Sequence, residues 1–158
     1  MSDRIKAIVA KESVQTLEKL AFIFATPEDE DIEPEAGESV DVAIRFSGPF
    51  SGSMLILYPQ SDLDELAANM LGLDDEDDIA GEQKLDALRE TINIVCGNVL
   101  PVIGGKQAVF DIAPPQIIDT PADRPDMAGA IKVQLELDEG MCFIFLSFEG
   151  PIPEVPAE

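Results

Sequence analysis

The 158-residue sequence contains no histidine and no tryptophan, and it has only 10 Lys and Arg residues against 32 Asp and Glu residues. Without histidine the chain lacks the commonest general base and the commonest metal ligand, which excludes histidine-based catalysis and His-containing zinc sites. The formal net charge of −22 argues against nucleic acid and anionic membrane surfaces as partners, because contacts to phosphate groups need clustered cations.

Long apolar runs and a disulfide framework are also missing. No apolar run approaches the ~20 residues that span a bilayer, and the first residues lack a signal-peptide pattern, so we expect no membrane partner. Cys96 and Cys142 lie in apolar stretches, which favours buried free thiols and a cytoplasmic protein. The hydrophobic content of 46% excludes a disordered chain. We therefore predict a single domain over 1–150 and a flexible Pro-rich tail over 151–158.

The pattern of apolar residues predicts both helices and paired strands. Helical spacing indicates helices over 3–25, over about 61–72 and over about 81–100. The segments 40–58 and 130–148 share one plan, an amphipathic strand, a glycine turn and an apolar strand. This order predicts an α+β fold in which an antiparallel β-sheet packs against long helices. The pseudo-repeated hairpins fit an internal duplication, or simply a sheet that helices cover on one face.

Acidic residues are concentrated in two segments, 27–39 and 74–78, which we expect to be solvated loops. From Asp74 onward, acids stand at the first, third and fifth positions of a calcium-binding loop. However, Ile79 stands where that loop needs a glycine, and Leu85 stands where it needs a bidentate glutamate. A solvated acidic linker is therefore the better interpretation, and we expect no metal site on this chain.

Motifs of other enzyme classes are missing from the sequence. It contains neither a Gly-rich phosphate-binding loop nor a GxSxG nucleophile motif. Among 32 acidic residues, pairs of carboxylates arise by chance, and the aromatic residues that stack on sugars are few. Nucleotide binding, serine hydrolysis and glycoside hydrolysis therefore have no support.

The predicted helix over 81–100 carries a polar stripe. At ~100° per residue, Asp86, Glu90, Asn93 and Gly97 fall within roughly 60° of one another. Asn and Gly each cost roughly 0.5–1 kcal/mol in a helix interior relative to Ala, so a merely solvated face would favour other residues. The stripe is a candidate functional surface; the alternative is a solvated face with a glycine in helix–helix contact. The apolar residues fall on the opposite side: Leu85, Leu88, Ile92, Val95 and Val99.

The stripe also belongs to a longer motif. The segment 86–98, DALRETINIVCGN, followed by the Pro-Pro pair at 114–115, resembles the signature of the CheC/CheX-type chemotaxis phosphatases. That signature reads Asp or Ser, three residues, Glu, two residues, Asn and a downstream proline. The hairpin around 48–57, the helix that ends at 70–72 and the N-terminal helix resemble the same family. The resemblance covers roughly residues 3–148.

The single complete motif makes the sequence CheX-like. Two-site relatives carry a second Glu-x-x-Asn in the first half of the chain, where this sequence has Leu66 and Asn69, so we expect one site only. Pro101 departs from the family pattern, and we expect it to kink or end the helix about two turns beyond Asn93.

The resemblance implies an enzyme that dephosphorylates an aspartyl phosphate on a CheY-type response regulator in chemotaxis signalling. Asn93 would orient the attacking water, and Glu90 would pair with a lysine of the regulator. Asp86 and Gly97 would contact the partner. The phosphorylated regulator would carry the Mg²⁺, so this chain would need no cofactor of its own.

The resemblance also implies a homodimer, in which we expect the two apolar strands to join sheets across a two-fold axis. The alternative function is a noncatalytic acidic module that binds a signalling partner and sequesters it.

Overall fold

A computed structural model describes residues 2–73 and 79–156, and this part of the chain contains three α-helices, a short 3-10 helix (Pro121–Asp123) and a seven-stranded sheet. The segment 74–78, on which the calcium-loop alternative depended, lies outside the described residues. The elements are α1 (Ser2–Ala21), β1 (Thr26–Pro27), β2 (Ser39–Ser47), β3 (Ser51–Pro59), α2 (Gln60–Leu71), α3 (Gly81–Gly104), β4 (Asp111–Ile112), β5 (Gln116–Ile118), β6 (Ile131–Glu136) and β7 (Met141–Glu149).

All strand pairs in the sheet are antiparallel, which confirms the predicted α+β fold. The order is β1-β6-β7-β3-β2-β4, and β5 also pairs with β2. The two predicted hairpins, β2–β3 and β6–β7, lie side by side because β3 pairs with β7. The apolar strands β3 and β7 are thus central and hydrogen-bonded on both sides. The prediction that these two strands join sheets across a two-fold axis is therefore wrong, because they have no free edge.

The main core lies between the sheet and the helices. The apolar side of α3 is buried as its periodicity predicts, with Leu88, Ile92 and Val99 fully inaccessible to solvent. Cys96 and Cys142 are buried free thiols, as expected. Burial raises the pKa of the Cys96 thiol to about 12. This thiol therefore stays protonated and unreactive at neutral pH.

Helix α1 ends at Ala21, four residues before the predicted end. The amide of Phe22 donates to the carbonyl of Glu18, and the amide of Ile23 donates to the carbonyl of Leu17. The first of these bonds is the one that defines the αL type of helix C-terminus, with Phe22 in the left-handed conformation (φ 54°). A bulky side chain in that conformation costs roughly 1–2 kcal/mol. Phe24, predicted to be on the buried face, is 70% exposed, because the helix has already ended.

At the start of α2, Ser61 followed three residues later by Asp64 resembles a capping box in sequence, but the structure has no such cap there. Pro59 precedes the helix and makes no side-chain cap. Asp62, which is buried, instead accepts hydrogen bonds from the amides of Glu139 (3.0 Å) and Gly140 (2.7 Å) in the β6–β7 turn. The acidic residue at the start of this helix therefore satisfies a distant turn rather than its own helix end.

The outer face of the sheet is covered in part by loops. Gln134 of β6 accepts from the amide of Ile32 (2.7 Å), and its side-chain amide donates to the carbonyls of Glu28 and Glu30. Residues 28–32 of the acidic segment are thus held against β6, while most of the segment 27–39 is exposed, as expected for a solvated loop.

A buried charge corrects a prediction on this face. The polar face of the amphipathic strand β2 was expected to be exposed to solvent. At Asp41 this face is buried instead, because Asp41 is only 8% exposed and accepts a hydrogen bond from Arg124 at 2.6 Å.

The last residues also contact the domain. Val155 is buried in the main core, and the guanidinium of Arg4 donates to the carbonyl of Pro156 at 3.0 Å. The tail is therefore packed at this point, although its sequence indicated a loose end. The division of the chain at residue 150 stays a prediction.

Candidate functional site

The polar stripe predicted on α3 is a solvent-facing surface. Asp86, Glu90, Asn93 and Gly97 are all exposed, whereas the neighbouring side chain of Ile92 is fully buried. The helical spacing alone accounts for this arrangement, because residues three and four apart share a helix face. The structure therefore brings the four predicted residues together along one side of the helix.

The two carboxylates of the stripe differ in what they contact. Oδ1 of Asp86 lies 2.5 Å from a guanidinium nitrogen of Arg89, and Glu82 lies 3.5 Å from the same nitrogen. Within residues 2–73 and 79–156, the side chains of Glu90 and Asn93 make no hydrogen bond or ion pair. Glu90 and Asn93 are therefore the stripe residues that are available to a partner without breaking an existing contact.

Arg89 is a residue that the sequence reasoning missed. Its signal was the three-residue spacing from Asp86, at which opposite charges on a helix pair. Since Arg89 already neutralises Asp86, a partner would meet these two residues as an ion pair rather than Asp86 as a free carboxylate.

Gly97 leaves open space at the end of the stripe. A Cβ built there would meet nothing within 4 Å, so the alternative of a glycine needed for helix–helix contact is wrong. Helix α3 continues through Pro101 to Gly104, so Pro101 does not end it, and a kink at Pro101 stays a prediction. Pro101 has no amide hydrogen to bond the carbonyl of Gly97. That carbonyl is on an exposed residue, where water can satisfy it.

Replacing Gly97 with alanine is expected to stabilise the protein by about 0.5–1 kcal/mol, because alanine is the better helix former and nothing obstructs its methyl group. Urea unfolding of the wild type and the variant measures this difference. Gly52→Ala is the matched control, because its Cβ would lie 2.0 Å from the carbonyl oxygen of Ser147, and it should destabilise. A loss of stability in Gly97→Ala would show that the space around Gly97 is not open.

A shallow groove lies beside the stripe, between α3 and α1. The side-chain amide of Asn98 donates to Oγ1 of Thr16 at 3.3 Å, which joins the two helices. Leu20 and Ile94 line the groove, whose volume is about 170 Å³. On α3, Ile94 stands one turn beyond Glu90, so the groove continues the stripe toward α1.

The position of a second site is occupied by structural residues. Leu66 is fully buried, and the side-chain amide of Asn69 donates to the carbonyl of Ala21 at 2.7 Å. Asn69 thus ties the end of α1 to α2. The Pro114-Pro115 pair lies between β4 and β5 at the sheet edge beside β2, whereas the stripe is on the helical layer.

The chemistry that the stripe offers is limited to hydrogen bonding and charge. Among the described residues, no group of three or more Asp, Glu or Cys side chains is arranged to hold a metal ion. Within the same part of the chain, no helix is both long and apolar enough to cross a membrane. A carboxamide both donates and accepts, so Asn93 can hold a water molecule, while Glu90 can pair with a cation.

Comparison with known families decides the identity of the chain. The family described as "Chemotaxis phosphatase CheX" matches residues 40–124, which is more than half of the chain and includes the whole stripe. The chain belongs to this CheX family. No curated protein sequence matches it significantly.

Solved structures of CheX proteins share the fold. The chemotaxis protein CheX from Vibrio vulnificus is 22% identical, with a TM-score of 0.74 over 94% of this chain and 99% of that one. CheX from Desulfovibrio desulfuricans is 18% identical, with a TM-score of 0.72 over 92% and 99%. A chain of the CheX–CheY–BeF3–Mg²⁺ complex from Borrelia burgdorferi is 19% identical, with a TM-score of 0.65 over 91% and 97%. These likenesses support the antiparallel α+β architecture of CheX proteins.

Proposed function

We propose that this CheX-family chain is a phosphatase for the aspartyl phosphate of a CheY-type response regulator. The observation that carries the proposal is the exposed pair Glu90 and Asn93, one helical turn apart, with neither side chain committed to another described residue. The family match supports a chemotaxis phosphatase, and the Borrelia burgdorferi complex supports CheY as the type of partner.

Hydrolysis of an acyl phosphate needs little from the second protein. Water must attack phosphorus in line with the leaving carboxylate, and the charge on the phosphoryl oxygens must be neutralised. In the proposal the regulator carries the Mg²⁺, as the composition of the Borrelia burgdorferi complex suggests. This chain then supplies the part that is missing, a group that holds the water. No proton-transfer group is required of it, which suits a chain without histidine.

Each stripe residue has a distinct role in the proposal. The amide of Asn93 orients the water, and the carboxylate of Glu90 pairs with a lysine of the regulator. The open space over Gly97 lets the regulator's backbone approach the helix. Asp86 contacts the partner as one half of its ion pair with Arg89. A homodimer is also part of the proposal, and the cytoplasmic location stays a prediction.

Multiple turnover tests the proposal. Phosphorylated CheY-type regulators from the same genome, in about twenty-fold excess over this chain, should release phosphate faster than they do alone, until the whole pool is dephosphorylated. If the chain instead sequesters its partner, phosphate release will not exceed the regulator's own rate at any ratio. Absence of acceleration for every regulator tested would refute the phosphatase function.

A further inference from the structure

Exposed apolar side chains are concentrated where α1 and α2 end. Among the large hydrophobic residues exposed in the described part of the chain, four of seven belong to these two segments. We call these four residues the corner patch: Phe22 (73% exposed), Phe24 (70%), Leu71 (45%) and Leu73 (39%). Two phenylalanine rings that are nearly three-quarters exposed are unusual on a monomer surface and are typical of a binding site.

The corner patch is built on a fixed backbone. The bond from the side chain of Asn69 to the carbonyl of Ala21 ties the two helix ends together, and the amide of Leu73 donates to the carbonyl of Ala68 at 2.9 Å. Phe22 occupies the left-handed position that glycine or asparagine usually fills. A strained backbone that displays an aromatic ring to solvent has no benefit for the isolated domain, which favours a role in binding.

The corner patch lies at about the same level along α3 as the stripe. Thr16 of α1 contacts Asn98 of α3, which places these two residues opposite each other. Closer to its end, α1 is bonded to Asn69 of α2, and the next residue of α2, Met70, contacts Thr91 of α3 at 3.5 Å. The end of α1 is therefore nearer to Thr91 than to Asn98. The two helices therefore run antiparallel. At 1.5 Å per residue, Phe22 lies roughly 9 Å beyond Thr16, about level with the turn of α3 that carries Glu90.

Charge identifies the kind of occupant. Glu18 and Glu90 are exposed near the corner patch, and the sequence continues after Leu73 with five acidic residues, DDEDD. A second copy docked patch to patch would bring the exposed Glu18 and Glu90 of one copy toward those of the other, each on a chain of net charge −22. A partner that presents a lysine to Glu90 beside an apolar surface matches both features.

We propose that the corner patch is the apolar anchor for the response regulator, and that it supplies affinity while Glu90 and Asn93 supply alignment and chemistry. The inference rests on the proposed function, because the regulator that reaches Asn93 is the occupant of the patch. Aromatic residues carry a large share of binding energy at protein interfaces. The stripe alone offers one free carboxylate and one amide, which is little for specific recognition of a protein.

The test removes the rings without disturbing the backbone. Asparagine tolerates the left-handed conformation, so Phe22→Asn combined with Phe24→Ser should fold with an unchanged or higher melting temperature. We expect the Kd for beryllofluoride-activated regulator and the KM for the phosphorylated regulator to rise at least ten-fold, with kcat within two-fold of wild type. Val109→Asn is the matched control, because Val109 is 79% exposed and lies outside the patch. It should change neither constant.

Three results would refute the proposal that the corner patch binds the regulator. One is a Kd and KM for the double variant within two-fold of wild type. The second is a change from dimer to monomer in sedimentation with regulator affinity intact, which would assign the patch to a second copy. The third is a wild-type chain that binds no activated regulator, which refutes both proposals. If the wild type binds but does not turn over, the phosphatase function fails and the Kd comparison alone decides the anchor.

Discussion

Asn93→Ala is expected to lower the kcat for phosphate release from the phosphorylated regulator by about 10²-fold or more, because ordering of the attacking water by one amide is a positioning effect of that size. The affinity for beryllofluoride-activated regulator should stay within two-fold of wild type, since the carboxylate of Glu90 remains. The melting temperature should not fall, because Asn93 is exposed and alanine is the better helix former. Steady-state phosphate release, binding and thermal unfolding measure the three quantities.

Two further variants make this result specific. Asn98→Ala removes the same side chain five residues further along the helix, where it contacts Thr16 of α1, so its kcat should be unchanged. Glu90→Gln should raise KM and Kd, and added salt should reduce the difference from wild type, because the lost contact is an ion pair. If Asn93→Ala retains wild-type turnover, or if it unfolds the domain, the role assigned to Asn93 is wrong.

Asp62→Ala is expected to produce the largest loss of stability among the polar replacements, about 2–5 kcal/mol. The carboxylate of Asp62 is buried and accepts from two backbone amides, those of Glu139 and Gly140. Its removal breaks two hydrogen bonds to a charged group, at roughly 1.5–3 kcal/mol each, and water reaching the partly exposed β6–β7 turn restores a part of that loss. Urea unfolding, which gives the free energy of unfolding, measures the effect.

Asp64→Ala is the control for that prediction. Asp64 lies two residues away on the same helix, is about half exposed and pairs with Lys84 at 2.7 Å. Surface ion pairs of this kind contribute about 1 kcal/mol or less, so the loss should be small. Equal losses in the two variants would contradict the assignment of Asp62 to the β6–β7 turn.

The parts of the site that could be predicted are those that depend on helical periodicity. Asp86, Glu90, Asn93 and Gly97 belong to one regular helix, so their common face follows from their spacing. The same periodicity placed Leu88 and Ile92 in the core. Their roles toward a partner stay predictions, because roles come from the resemblance and not from the spacing.

The errors arose where distant residues decide a local structure. Ser61 and Asp64 resembled a capping box, but the acid that binds backbone amides is Asp62, whose partners lie almost eighty residues later in the β6–β7 turn. No local signal indicates that Phe22 adopts a left-handed conformation, which ended α1 earlier than its apolar pattern suggested. Likewise, apolar content predicted that β3 was buried but did not reveal that its neighbour is β7. Pairing between distant strands is a tertiary property.

The way in which Gln134 holds residues 28–32 against β6 affects how any partner can be recruited. Peptides are often captured by strand addition, in which an extended ligand joins the open edge of a sheet. Here the backbone carbonyl of Gln134 accepts from the amide of Glu28 at 2.9 Å, and the sheet ends in β1 on one side and in β4 and β5 on the other. These edge strands, β1, β4 and β5, are only two or three residues long, so they offer few backbone groups with which an added strand could form hydrogen bonds. The described strand ends therefore disfavour recognition by β-augmentation, and the short edge strands also disfavour edge-to-edge aggregation.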